Sequence, residues 1–178
     1  MNNFNVLLFK TLRLHVRQLE DKDLESFYDM QSNRGVMKYI KKEMNFEQSK
    51  QELDRFIGYY NDDSIFFKIW AIINKNTNQF IGICGVYEND MSELEIAYRL
   101  RECFWGKGFG LEIAKGLITY CFEQMKLKEL VAYVDKDNLN SIRILEQEMK
   151  YVTEIYVKKE DSVERKYKLS KKEYYNNT

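Results

Sequence analysis

Glu95-Ile96-Ala97-Tyr98-Arg99-Leu100 runs through Arg101-Glu102-Cys103-Phe104 into Trp105-Gly106-Lys107-Gly108-Phe109-Gly110. The first six residues belong to a strand expected from Glu93 to Arg101. The last six place glycines at Gly106, Gly108 and Gly110, directly before a stretch from Gly110 to Met125 in which Ile113, Leu117, Ile118 and Cys121 recur at helical spacing. A strand, a glycine-rich turn and an amphipathic helix in succession make an anion cradle. Glycine accepts positive φ and lets backbone N–H groups approach a ligand, and the new helix adds unpaired N–H groups and the positive end of its dipole. A phosphate or pyrophosphate suits such a site. The spacing G-x-G-x-G is not the dinucleotide fingerprint G-x-G-x-x-G, and Lys107 does not sit in the G-K-[ST] ending of a P-loop. A strand-to-helix turn with no ligand is the alternative.

Outward from this stretch, strand-like and helix-like segments alternate. Thr11 to Leu19 alternates Leu12, Leu14 and Val16 with Arg13, His15 and Arg17, the period of a strand. Glu20 to Asp23 opens a helix with acids in its first turn, and Asn33-Arg34-Gly35 is expected to end it. A second helix is expected from about Phe46 to Tyr60. Phe66 to Ile73 and Phe80 to Tyr87 form a hairpin about the polar turn Asn74 to Asn78, and Gly82 and Gly85 mark a bulge or a close backbone approach. Leu130 to Val134 reads as a buried strand, Ser141 to Met149 as a helix, and Tyr151 to Val157 and Arg165 to Leu169 as closing strands. The tail from Ser170 is expected to fray. The order β-αα-βββ-α-β-α-ββ predicts an α/β (α+β) mixed sheet with helices packed on it. No Gly-, Ser- or Pro-rich linker divides the chain, so 1–178 is expected to be one domain with a core of about 11–170.

Composition narrows the chemistry. The 178 residues carry 28 Lys+Arg against 28 Asp+Glu, so nothing marks a nucleic-acid binder. An apolar fraction of 44% with 15% aromatics predicts a packed globule. With a single histidine, His15, most His-rich metal sites are excluded, and no metal is expected. His15 itself reads as a surface or edge residue. Cys84, Cys103 and Cys121 are odd in number and form no C-x-x-C, which predicts reduced thiols and a cytoplasmic protein. The short apolar stretch within Met1 to Lys10 lacks the flanks of a signal peptide, and no run reaches the roughly 20 apolar residues of a membrane span. The runs Lys38 to Glu43 and Lys158 to Asp161 read as solvated loops.

Glu95 to Leu100 with Phe104 to Gly110 resembles the core motif of the GNAT N-acetyltransferase superfamily, with Gly108 and Gly110 at its two small positions. Thr11-Leu12-Arg13-Leu14 with Arg17 and Asp23-Leu24, Asp137-Asn138-Leu139-Asn140-Ser141 with Arg143 and Glu146, and Arg165 to Tyr174 are similar to the branch of ribosomal-protein alanine acetyltransferases. The resemblance implies a GNAT-like fold whose mostly antiparallel sheet splays at the strand before the glycine turn, near Leu100. It implies acetyl-CoA as cosubstrate and an amine as acceptor, either a protein N-terminus or a small amine, in a monomer or homodimer. It also assigns cofactor contacts to Leu100, Trp105, Gly106, Lys107, Gly108, Phe109, Gly110 and Leu111, and to Asn138 on the pantetheine amides.

Glu95 is the candidate base, because a partly buried carboxylate gains a pKa nearer the working range. The alternative is a structural pair with Arg99 on the same face, and Glu93 is the next candidate. Ser141 is placed near the thioester sulfur as the candidate acid, with Tyr98 or water as substitutes, because Leu145 stands where many members have a tyrosine. Asn138 or Asn140 capping a helix is the plain alternative there. The family's Leu-Gly-Phe at the helix end is replaced by Glu148-Met149-Lys150-Tyr151, so a bulged or strained end is expected, with Tyr151 in the Phe role. Phe46, Tyr39, Tyr59 and Tyr60 are candidates for the acceptor site. A CoA-binding regulatory module without catalysis and a polyamine acetyltransferase are the other functional readings.

Overall fold

The computed structural model describes residues 7–158 and 161–176. The opening of the N-terminal apolar stretch and Lys159-Glu160 of the charged run lie outside them. The elements are β1 (Leu7–Lys10), β2 (Leu14–Gln18), α1 (Leu24–Ser32), α2 (Arg34–Met37), α3 (Phe46–Gly58), β3 (Phe67–Asn74), β4 (Phe80–Glu88), β5 (Leu94–Leu100), α4 (Phe109–Glu123), β6 (Glu129–Asp135), α5 (Leu139–Glu148), β7 (Lys150–Val157), β8 (Ser162–Ser170) and α6 (Lys171–Asn176). They build one eight-stranded sheet in the order β1-β2-β3-β4-β5-β6-β8-β7. Every neighbouring pair is antiparallel except β5 and β6, which run parallel.

The alternation of apolar side chains on the strands feeds two cores, one on each face of the sheet. On one face Trp70, Ile72, Ile96 and Leu100 meet the stripe Ile113, Leu117, Ile118 and Cys121 of α4 and Ile142 and Leu145 of α5. On the other, Ile69, Ala71 and Ile83 meet Phe27 and Met30 of α1 and Leu53 and Phe56 of α3. Leu117 and Ile113 are fully buried, and each such side chain contributes roughly 1.5–3 kcal/mol relative to exposure. Arg17 of β2 is buried and meets Asp23, just ahead of α1, through two parallel bonds of 2.7 Å, which tie the helical layer to the sheet. The close approach expected at Gly82 is present: a Cβ there would lie 2.0 Å from the Arg99 carbonyl oxygen of β5.

Four expectations change. Leu7–Lys10 is a strand paired with β2, which the period-two reading from Thr11 missed. Asn33 ends α1 in an extended conformation, but its side chain then caps α2, so Gly35 lies inside a second helical turn and does not stop the first. The tail from Ser170 folds as α6. Ser170 and Glu173 exchange capping bonds, Glu173 meets Lys150 at 2.7 Å, and the Tyr174 ring packs on Phe122. At the end of α5, Met149 is extended (φ −137°) and buried, so no left-handed cap exists and glycine is not needed. Met149 fills the interior position, whereas Tyr151 is 53% exposed, and the irregularity lies in β7 between Tyr151 and Thr153.

Candidate active site

The site begins where the sheet comes apart. β5 is in register with β4 along its whole length, but its only paired position with β6 is Glu95↔Val131. Beyond Glu95 the two parallel strands diverge, so the separation begins earlier than the expected point near Leu100. A cleft of about 820 Å³ opens there, lined by Glu95, Ala97, Tyr98 and Arg99 of β5, Tyr133 and Asp135 of β6, Asn138 just ahead of α5 and Ser141 within it. Through this gap, groups from opposite faces of the sheet reach one space. Glu95 and Arg99 face the α1–α3 layer, and Tyr98 packs with the α4–α5 core.

At the end of β5 the glycine turn is shaped as its composition demands. Gly106 (φ +70°) and Gly108 (φ +78°) are left-handed, a region that disfavours any side chain. Gly108 precedes α4 with no side-chain cap. The N–H groups of Phe109, Gly110 and Leu111 are therefore the unpaired donors of the first helical turn, at the positive end of the dipole. Trp105 Nε1 donates to the Leu100 carbonyl at 2.9 Å, and Lys107 Nζ donates to the Cys103 carbonyl at 2.8 Å, which holds an ammonium beside the turn. The Leu100 side chain belongs to the core. A Cβ on Gly110 would meet Ile144 at 2.8 Å, so its small size lets α4 pack on α5.

Arg13 has a role here that the sequence reading did not give it. Its guanidinium donates to the Lys107 carbonyl at 2.9 Å, pairs with Glu112 at 2.6 Å and covers the Phe109 ring at 4.3 Å. It braces the turn from β2's side of the molecule. The one local signal was an acid, Glu112, in the first turn of α4.

The two candidate carboxylates have opposite environments. Glu95 accepts from Tyr87 Oη at 2.7 Å and from Asn89 Nδ2 at 3.2 Å. Burial outweighs these bonds and pushes its pKa up. Glu93 meets Lys166 Nζ and Tyr133 Oη, each at 2.5 Å, and these bonds outweigh its desolvation and hold its pKa down. Glu93 is thus a fixed charge and Glu95 the better proton acceptor. The alternative pairing of Glu95 with Arg99 does not form. Arg99 donates instead to Gln31 Oε1 and to Met37 Sδ.

On the α5 side, Asn138 Oδ1 accepts from the Ser141 N–H at 3.3 Å, so the capping reading of Asn138 holds. Tyr98 Oη is buried, and among the described residues no side chain or backbone group meets it with hydrogen-bond geometry. Burial raises its pKa, and the side chain of Ser141 is the polar group acting on it. Leu145 is buried beside them.

Among the four aromatic candidates for the acceptor side, Tyr39 lines the cleft. Phe46 packs on Tyr28, Tyr59 on Phe67, and Tyr60 Oη is fixed between the Leu19 N–H and the Ile69 carbonyl. Cys84 and Cys121 are buried, the Cys121 thiol being pushed up to about 12 by desolvation, and Cys103 is exposed. His15 stays half-buried on β2, where burial and then Arg17, Lys10 and Lys75 lower its pKa. No group of three or more His, Cys, Asp or Glu among the described residues is placed to hold a metal ion. No helix among them is long and apolar enough to cross a membrane.

The sequence from residue 13 to residue 147 matches the acetyltransferase (GNAT) domain family. The chain belongs to the GNAT acetyltransferase family. A curated N-acetyltransferase of Bacillus licheniformis, p20, is 34% identical over 142 residues, covering 76% of this chain and 77% of that protein. Among solved structures, a GNAT-family acetyltransferase from Bacillus anthracis superposes with a TM-score of 0.81 at 24% identity, covering 94% of this chain and 99% of that one. RimL, a ribosomal L7/L12 alpha-N-protein acetyltransferase solved in complex with coenzyme A, superposes with a TM-score of 0.77 at 14% identity, covering 93% and 98%. At these identities the likeness is one of fold. The fold expectation is met, including the mostly antiparallel sheet splayed at the strand before the glycine turn, and the chain is an N-acetyltransferase.

Proposed function

We propose that the chain moves an acetyl group from acetyl-CoA to a primary amine by direct attack within a ternary complex, and that its acceptor is an N-terminal α-amine of a peptide or protein. The observation that carries this reading is the gap between β5 and β6. It brings a half-buried carboxylate and a hydroxyl from opposite sheet faces to one cleft, next to an amide-rich turn.

The pyrophosphate is held by the amides of Gly108 to Leu111, with Trp105, Gly106 and Lys107 shaping the turn around it. The diverging strands leave a slot for the pantetheine arm, with Asn138 at its side. The cosubstrate supplies an activated acyl thioester. Glu95 takes a proton from the acceptor ammonium, directly or through water, and so exposes the nitrogen lone pair. A backbone N–H of β5 past the splay donates to the carbonyl oxygen as negative charge develops on it. As the C–N bond forms and the C–S bond breaks, Ser141 gives its proton to the departing sulfur, and the second proton that the acylated nitrogen sheds passes through water to restore the serine hydroxyl.

The test is release of free thiol from acetyl-CoA with a panel of N-terminal peptides and polyamines, run beside calorimetric titration with CoA. Thiol release that depends on a peptide amine supports the reading. Tight CoA binding without amine-dependent release with any acceptor makes the protein a regulatory CoA-binding module instead.

A further inference from the structure

Arg99 is a half-buried cation, and no ion pair among the described residues joins it to a carboxylate. It lies on the floor of the cleft, on the face of β5 that also presents Glu95 and Ala97. Its hydrogen-bond acceptors are the neutral Gln31 Oε1 and Met37 Sδ, and its Nε is buried with no partner among the described residues. The other cations lining the cleft, Lys41 and Arg55, both close on Glu52, at 2.8 and 2.6 Å. Glu52 acts on Arg99 only through space, and Glu95 is engaged by Tyr87 and Asn89. Desolvation lowers the Arg99 pKa to about 10, which leaves it charged at neutral pH. A desolvated charge without a counter-charge is costly to hold unless a ligand completes it. Arginine is also the side chain whose planar fork matches a carboxylate.

Glu95, Ala97 and Arg99 therefore give one strand face the sequence acid, small, base. Four residues of extended strand separate the two charged positions by about 13 Å at Cα, and Ala97 leaves the floor between them open. We infer that Arg99 binds a carboxylate of the acceptor, several bonds from the amine that approaches Glu95, so the substrate class is an amine that carries an anionic group, such as an acidic N-terminal peptide. This rests on the N-acetyltransferase reading of the same cleft. A polyamine, cationic throughout, would place positive charge against Arg99.

The experiment compares kcat/KM for matched acceptors: 6-aminohexanoate against 6-aminohexanamide, and Ala-Glu-Ala-amide against Ala-Gln-Ala-amide, with spermidine as a third arm. For the wild-type protein, the carboxylate member of at least one pair is expected to be favoured at least tenfold. R99Q is expected to erase that preference and R99K to keep part of it, with circular dichroism melts showing that both variants fold. Equal rates within both pairs, or a preference that survives in R99Q, overturn the inference. Turnover of spermidine alone overturns it while leaving N-acetyl transfer standing. If no acceptor is turned over, calorimetry of 6-aminohexanoate and its amide on the CoA-loaded protein decides. A carboxylate preference lost in R99Q upholds the site and removes the enzymatic reading, and no preference removes both.

Discussion

Glu95 owes its suitability as a base to the same burial that makes it a burden on the fold. E95Q removes the proton acceptor, and kcat should fall about 10²- to 10⁴-fold. Its effect on stability has the opposite sign. A carboxyl whose pKa is raised on folding contributes stability below its unfolded pKa, and that contribution is lost as pH rises through the folded pKa. E95Q should therefore melt at or above the wild-type temperature at pH 8, with the difference shrinking toward pH 4. A lower melting temperature at pH 8, read by circular dichroism, contradicts the burial argument. S141A should lower kcat about 10²-fold while leaving the KM for acetyl-CoA nearly unchanged. Equal kcat values would move the acid role to Tyr98 or water. Glu95 was legible as a candidate from its place on the strand before the glycine turn. What separates it from Glu93 was not, because Lys166 and Tyr133 come from β8 and β6, far away in sequence.

The glycine turn and α4 were the most legible part of the chain, because their signals are local: residues that tolerate positive φ, then an apolar stripe at helical spacing. G108A puts a Cβ into a left-handed conformation, which costs about 1–2 kcal/mol, and should weaken CoA binding in calorimetry. Binding as tight as wild type would place the pyrophosphate elsewhere. α6 was missed although Ser170-Lys171-Lys172-Glu173 has the spacing of a capping box. The charge of its residues masked that signal, and the ring of Tyr174 against Phe122 supplies the packing that a charged tail does not advertise. The strain expected at the end of α5 is absent because the chain turns there without a left-handed residue, a choice of backbone that a missing glycine alone does not reveal.

The molecule as a whole is a sheet between two helical layers, and the cleft exists because one pair of strands parts. Element order predicted the mixed sheet. The parting of β5 from β6 is a relation between strands that are distant in sequence, and only the family resemblance carried it. The layers are held in place by links such as Arg17–Asp23. D23A would leave a buried guanidinium uncompensated, at about 3–5 kcal/mol, and should lower the melting temperature by roughly 10 °C. An unchanged melting temperature would mean that the pair contributes little. The central claim, amine acetylation with Glu95 as base, is tested most directly by the pH dependence of kcat/KM for acetyl-CoA thiol release with an N-terminal peptide. The wild-type protein should show an acid limb governed by a group titrating above the usual carboxylate range, and E95Q should lose both that limb and most of the rate. A profile and rate in E95Q matching the wild type would contradict the account.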